Sequence, residues 1–302
     1  MTAPAVMEFK KFAGIKNAQD RTTLGAPFLW SADNVDCDDE GIISRRYGHS
    51  AALIAGDYHS GFATKAGTLM LAVQGANLVI ANPVAGTTTV LRSDLTPGLR
   101  MSYVEVNNEV YYTNGQVYSY VNLQTGALGT FPAISKTLSQ RMPAGHLITH
   151  YKGRMYIARG NTLFWSVAMD FGRIELRRSF RQFPGLITMI QAVDDGIWIS
   201  YGKTGFIAGN TPKEAILIDA VNYDAVMYSG VSVDAALLSG DEPMKGKAAV
   251  WESTQGPCLG LSGGIFINIA QRKYNPPTGT YGAAIVRKNR KGTYQYLALI
   301  HN

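Results

Sequence analysis

The chain has 302 residues, 46% of them apolar and 17% charged, with 32 glycines and 16 tyrosines. That balance excludes a disordered chain and favours strands and tight turns over helices. Net charge is +6, which is compatible with nucleic acid nearby. No apolar run approaches the roughly 20 residues of a membrane-crossing helix, and "MTAPAVMEFKKF" has no secretory apolar core, so a soluble chain made in a cytoplasm, without a membrane anchor, is expected.

Residues 1–30 carry little strand pattern and read as an extended N-terminal arm. The acidic stretch "DNVDCDDE", with Asp36, Asp38, Asp39 and Glu40, follows as a hairpin turning at Gly41. A calcium loop starting at Asp36 would need a carboxylate where Tyr47 stands, so a hairpin is the simpler reading. Cys37 and Cys258 lie too far apart in sequence to make a metal spacing or a disulfide framework.

From there a hairpin recurs. "YYTNGQVYSYVN", residues 111–122, alternates apolar and polar side chains on either side of Asn114 and Gly115. Turn residues open similar strands at Gly67, Asn108, Gly153, Gly196 and Gly256, and second turns follow at Gly75, Gly115, Gly160, Gly202 and Gly263. A period of roughly 40–45 residues, each unit supplying a few short strands, matches the blades of a β-propeller, because a lone hairpin cannot bury its apolar face. The expectation is an all-β fold, a single propeller domain over residues 31–302 with five blades. A sixth blade would be a composite of "GIISRR", "SAALIA" and the late "TYQYLAL". Outer strands are expected at "TTTVLR", "RIEL", "AILID" and "AAIVRK", and residues 221–247 read as an irregular insertion.

Several short strings resemble catalytic motifs. Gly260 to Gly264 spells G-x-S-x-G around Ser262, but "IFINIA" after it reads as a strand where a hydrolase needs a helix. Gly202 to Thr204 spells the end of a phosphate loop without its helix or its glycine spacing. His146 and His150, four apart on a strand, sit about 13 Å from one another, too far to share a metal ion. No enzyme and no cofactor is expected. The candidate contact residues are instead charged: Arg173, Arg177, Arg178 and Arg181 in "RIELRRSFR", Arg287, Lys288, Arg290 and Lys291 in "RKNRK", and the acidic turn already named. Trp30, Trp165, Trp198 and Trp251 are the tryptophans that could serve a ligand face.

The stretch "ADNVDCDDEGIISRRYGHS" resembles the opening of a group of tailed-bacteriophage virion proteins, which begin with an arm similar to "FKKFAGIKN" and continue with a motif matched here by Asn34, Val35, Asp36, Asp38, Gly41, Ile42, Ser44, Arg45, Arg46 and Gly48. "VWESTQGPCLGLSGGIFINI" and "RKYNPPTGTYGAAIVRKNRKGTYQYLAL" are similar to the group's ending, and "VDDGIWISYGKTGFIAG" to its middle blades. The resemblance implies a structural virion protein of the tail-nozzle or packaged-DNA stabilisation type. Such proteins form rings, commonly hexamers, with other neck and tail proteins around the passing double-stranded DNA. This chain is much shorter than the nozzle proteins. A phage-surface propeller contacting host glycan or a receptor is the alternative. In a ring the acidic turn and the "RIELRRSFR" segment would face each other across neighbouring subunits.

Overall fold

The computed structural model describes residues 11–37, 41–46, 56–238, 245–270, 273–288, 292 and 294–302. Among them the regular structure is all β, apart from three short 3-10 turns. Five antiparallel sheets of four strands follow one another along the chain. The first comprises Tyr58–Ala63, Met70–Gln74, Asn77–Asn82 and Thr87–Arg92, and the second Ser102–Val106, Glu109–Thr113, Tyr118–Asn122 and Ala127–Leu128. Leu147–Tyr151, Arg154–Arg159, Thr162–Trp165 and Phe180–Gln182 make the third, and Met189–Ala192, Gly196–Ser200, Thr204–Ala208 and Ile216–Val221 the fourth. The fifth holds Val231–Asp234, Lys247–Ser253, Gly256–Gly260 and Phe266–Asn268.

The sheets pack face to face in sequence order, and each seam has its own apolar cluster. Leu71, Leu78, Val110 and Tyr112 fill the first seam, and Tyr111, Ile148, Met155 and Ile157 the second. Tyr156, Leu163, Ile197 and Ile199 fill the third, and Trp198, Phe206, Trp251 and Cys258 the fourth. Alternate residues of one strand therefore serve opposite seams, Ile157 one and Tyr156 the other, as strand geometry requires. Burial on both faces explains why the middle strands read as unbroken apolar runs, Gly196–Ser200 being buried throughout, while the outer strand Thr87–Arg92 has no buried residue. The turn read at Asn114 and Gly115 is present, with Asn114 Oδ1 accepting the backbone N–H groups of Gln116 and Val117 at 3.1 and 2.9 Å.

Three expectations need correction. "RIEL" is not an outer blade strand: Arg173–Glu175 pairs with Ser139–Arg141 in a separate two-stranded sheet, and Phe180–Gln182 closes the third sheet. "AAIVRK" is not one either, because Tyr281–Lys288 pairs along its whole length with Tyr294–His301. The cause lies in the fifth sheet, where Gly256 opens the third strand rather than the second. The equivalent turn is Gly246, at φ 88°, ahead of Lys247–Ser253. Residues 221–247 consequently contain that sheet's first strand, Val231–Asp234, and are not a wholly irregular insertion.

The N-terminal arm, too, differs from the extended form expected. Over residues 11–30 it doubles back: Ala13 N–H donates to Pro27 O at 2.7 Å and Leu29 N–H to Gly14 O at 2.9 Å. Asn17 N–H then donates to Lys273 O at 3.0 Å, tying the loop to the C-terminal part of the same chain.

The C-terminal hairpin docks on the fifth sheet through Val286 and Tyr296, which pack against Val233 and Val250. Gly282 N–H donates to Met227 O and Tyr296 Oη to Ser229 O, both at 2.8 Å. Its other link crosses to the start of the second sheet. The Arg100 guanidinium donates to Gly282 O, approaches His301 Nε2 at 3.5 Å, and lies 5.4 Å from the centroid of the Tyr228 ring. One side chain thus ties the C-terminal hairpin to the start of the second sheet. Arg100→Gln is expected to destabilise the protein by about 1.5 kcal/mol, the scale of a lost charged hydrogen bond. A thermal melt checks this, and no change in Tm would show that the hairpin is held by its other contacts.

Candidate functional site

A groove opens at the outer end of the third seam. Its first wall comes from the excursion between Trp165 and Phe180. Arg173 and Asp170 form an ion pair at 2.6 Å there, and Arg173 also donates to Ser139 Oγ at 3.3 Å, which pins the base of the excursion. The chain then tightens: Ser179 N–H donates to Glu175 O, and Glu175 N–H to Ser179 Oγ, both at 3.0 Å. This turn carries Arg177 and Arg178, both exposed.

The opposite wall is the loop between the third and fourth strands of the fourth sheet, contributing Thr211, Pro212 and Lys213. Tyr151 Oη donates to Gly209 O at 3.0 Å and fixes the root of that loop. Arg154 and Trp165 line the groove from the third sheet. Arg154 is held in place by donating to Ser166 O at 2.8 Å.

The open groove holds about 550 Å³. Arg154, Arg178 and Lys213 line it together with one carboxylate, Glu175. None of these cations has an acidic partner within 4.0 Å among the described residues. A neighbouring apolar slot of about 30 Å³ shares Trp165, Thr211 and Pro212 with the groove and is walled by Tyr156, Leu163, Ile197, Ile207 and Ala215, with Arg181 also in its lining. Arg181 stacks over the Phe183 ring at 5.6 Å. Burial pushes the Tyr156 phenol up to about 12, so it is a neutral wall at physiological pH. The site can hold an anion and an apolar group side by side. It offers no nucleophile–base pair.

The charged residues expected at contacts divide. Arg178 lines the groove, Arg181 stands at the slot, and Arg177 is exposed on the same turn. Arg173 is taken up by Asp170. Arg287 meets Asp36, with Nη2 2.7 Å from Oδ1, and Arg46 Nε lies 3.6 Å from the same oxygen. Two residues expected on separate contact surfaces therefore bind one another within the chain. Lys288 lies over the Tyr294 ring at 5.4 Å. Asp38, Asp39, Glu40, Arg290 and Lys291 fall outside the described residues. Arg154 and Lys213 were missed in the sequence, since each sits in an ordinary strand or loop string with no local motif.

The catalytic-looking strings have structural occupations. Ser262 sits in a 3-10 turn, Ser262–Gly264, followed by strand Phe266–Asn268. Gly263 N–H donates to Asp195 Oδ2 at 2.7 Å. His146 Nε2 meets Ile187 O at 2.7 Å, and His150 stands edge-on to Phe171 at 5.6 Å, so they serve different neighbours. The Cys258 thiol is buried and pushed up to about 11, mainly by that burial, which leaves it unreactive at neutral pH. Trp198 and Trp251 are wholly buried, and Trp165 is the tryptophan that reaches the groove.

No protein-family profile matches the chain, and no curated protein matches it. Solved structures do. The extracellular domain of BT4673 from B. thetaiotaomicron matches at TM-score 0.53 and 12% identity over 96% of this chain. The N-terminal domain of Nup159, a β-propeller, matches at TM-score 0.53 and 11% identity over 81% of this chain and 73% of its own. A functionally unknown protein from Desulfotomaculum acetoxidans matches at TM-score 0.50 and 12% identity over 82% of this chain and 90% of its own. The likeness is one of fold. The chain is a β-propeller-like arrangement of small antiparallel sheets. It spans only 39% of the BT4673 domain, and none of these neighbours is a phage protein.

Proposed function

We propose that the chain is a structural subunit of a tailed-phage virion, a propeller of five blades whose C-terminal hairpin stands as a partial sixth, placed in a neck or tail ring around the DNA path. The observation that carries this reading is the Asp36 cluster. Asp36 and Arg46 belong to the N-terminal stretch that resembles phage virion proteins, Arg287 belongs to the C-terminal stretch that does, and the three meet in one ion-pair group. The opening and closing stretches of the resemblance thus form a single buckle, which suits a body held as a rigid block. Five sheets packed in series through apolar seams suit it as well, since such a body transmits load without a deformable core.

Mass spectrometry of purified particles tests the proposal, with the chain expected at the copy number of a ring. Its absence from particles, or presence at one copy, would overturn it. The alternative, a surface propeller that binds host glycan, is favoured by Trp165 lining an open groove beside polar groups, as stacking of a sugar ring needs. Retention on a glycan array, lost in Trp165→Ala, would support that alternative.

A further inference from the structure

The geometry points to the groove of the third seam as a docking site for an extended acidic peptide segment of another protein. The segment's carboxylates would lie on Arg154, Arg178 and Lys213, with one aliphatic side chain in the neighbouring slot.

Charge comes first. Three cations line the groove and, among the described residues, none has an acidic partner within 4.0 Å, so their charge is not neutralised by an ion pair there. Cations gathered in a concave, partly desolvated trough attract an anion more strongly than the same charges on an open face. Arg154 is already oriented by its bond to Ser166 O, and the backbone of the turn bearing Arg178 is closed by two hydrogen bonds, so that part of the ordering precedes binding.

Shape and the single acid choose among anions. The slot of about 30 Å³ is walled by aliphatic and aromatic groups and accepts the end of an aliphatic side chain, not a nucleobase or a sugar ring. Glu175 stands among the cations. A carboxylate there repels phosphates and carboxylates alike, but an extended peptide can offer it a backbone N–H while its acidic side chains reach the flanking cations, and a run of phosphates has no such donor in its backbone. The inference is independent of the virion reading: absence from particles would leave the groove as it is, and failure of peptide binding would leave the ring proposal standing.

The test is fluorescence anisotropy on the full chain with a fluorescein-labelled peptide in which glutamates flank one leucine. Saturable binding is expected. It should weaken about tenfold or more in the double variant Arg178→Glu, Lys213→Glu, whose residues are exposed and whose Tm should not move. Replacing the leucine by serine, or filling the slot by Ala215→Leu, should also weaken it several-fold. Three outcomes would overturn the proposal: no saturable binding, binding indifferent to the charge reversal, or an oligothymidylate or a polyuronate binding more tightly than the peptide through the same residues.

Discussion

Trp198→Ala is expected to cost about 4 kcal/mol of stability, the upper range for truncating a buried aromatic. Trp198 lies in the strand Gly196–Ser200 and is wholly buried in the seam between the fourth and fifth sheets. Its ring centroid is 5.0 Å from that of Phe206, 5.7 Å from Trp251 and 6.3 Å from Phe266. The indole N–H donates to Leu261 O at 3.1 Å. Alanine would empty the centre of the seam and leave that carbonyl unpaired, two separate losses. Gly260 shows how tightly the ring is held, since a Cβ there would come within 2.5 Å of it. Trp198→Phe should cost about half as much, keeping most of the packing and losing the hydrogen bond. Urea unfolding measures both. Hydrogen exchange adds a sharper check: because each sheet packs on its sequence neighbours, lost protection should concentrate in the fourth and fifth sheets. A loss below about 1 kcal/mol would mean that the seam collapses around the gap.

The repeated hairpins were legible because their signals are local. Asn108, Gly153 and Gly196 each stand at the entry to a second strand, and the burial of both sheet faces writes the apolar runs directly into the sequence. The fifth sheet was misread by one strand because "KAAVWES" opens with two alanines and is entered from Gly246, while Gly256 offers a stronger turn signal next to it. Contacts across the chain were not legible. Nothing near Asp36 announces Arg287, and nothing near Arg178 announces Lys213 or Arg154. The reversed role of Arg173 did have a local trace: Asp170 is three residues upstream and takes its charge. A basic string therefore marked the right turn of the chain but could not say which of its arginines faces the groove.

Glu252 should contribute stability that falls away as pH rises toward 7. It lies in the strand Lys247–Ser253, on the face shared by Ala248 and Val250, toward the C-terminal hairpin. The residue is 5% exposed, and its Oε1 is buried without a hydrogen-bond partner among the described residues. Burial pushes the carboxyl up to about 7 from the ordinary 4.5. The folded state thus holds a proton that the unfolded state has released. The stabilisation is fully present below pH 4.5, is lost progressively as pH rises, and is gone above about 7. Allowing for residual solvent contact, the loss is about 2 kcal/mol. His59, His146 and His150, all lowered mainly by burial, act in the opposite sense, since their neutral folded forms lose stability as pH falls. Glu252→Gln separates the two effects, because the histidine contributions cancel in the difference from wild type. At pH 4.5 the variant and wild type should be nearly equal; at pH 8 the variant should be the more stable by about 2 kcal/mol. A difference that does not change with pH would mean that the carboxylate ionises freely in the folded protein, and that the seam between the fifth sheet and the hairpin admits water to both of its oxygens.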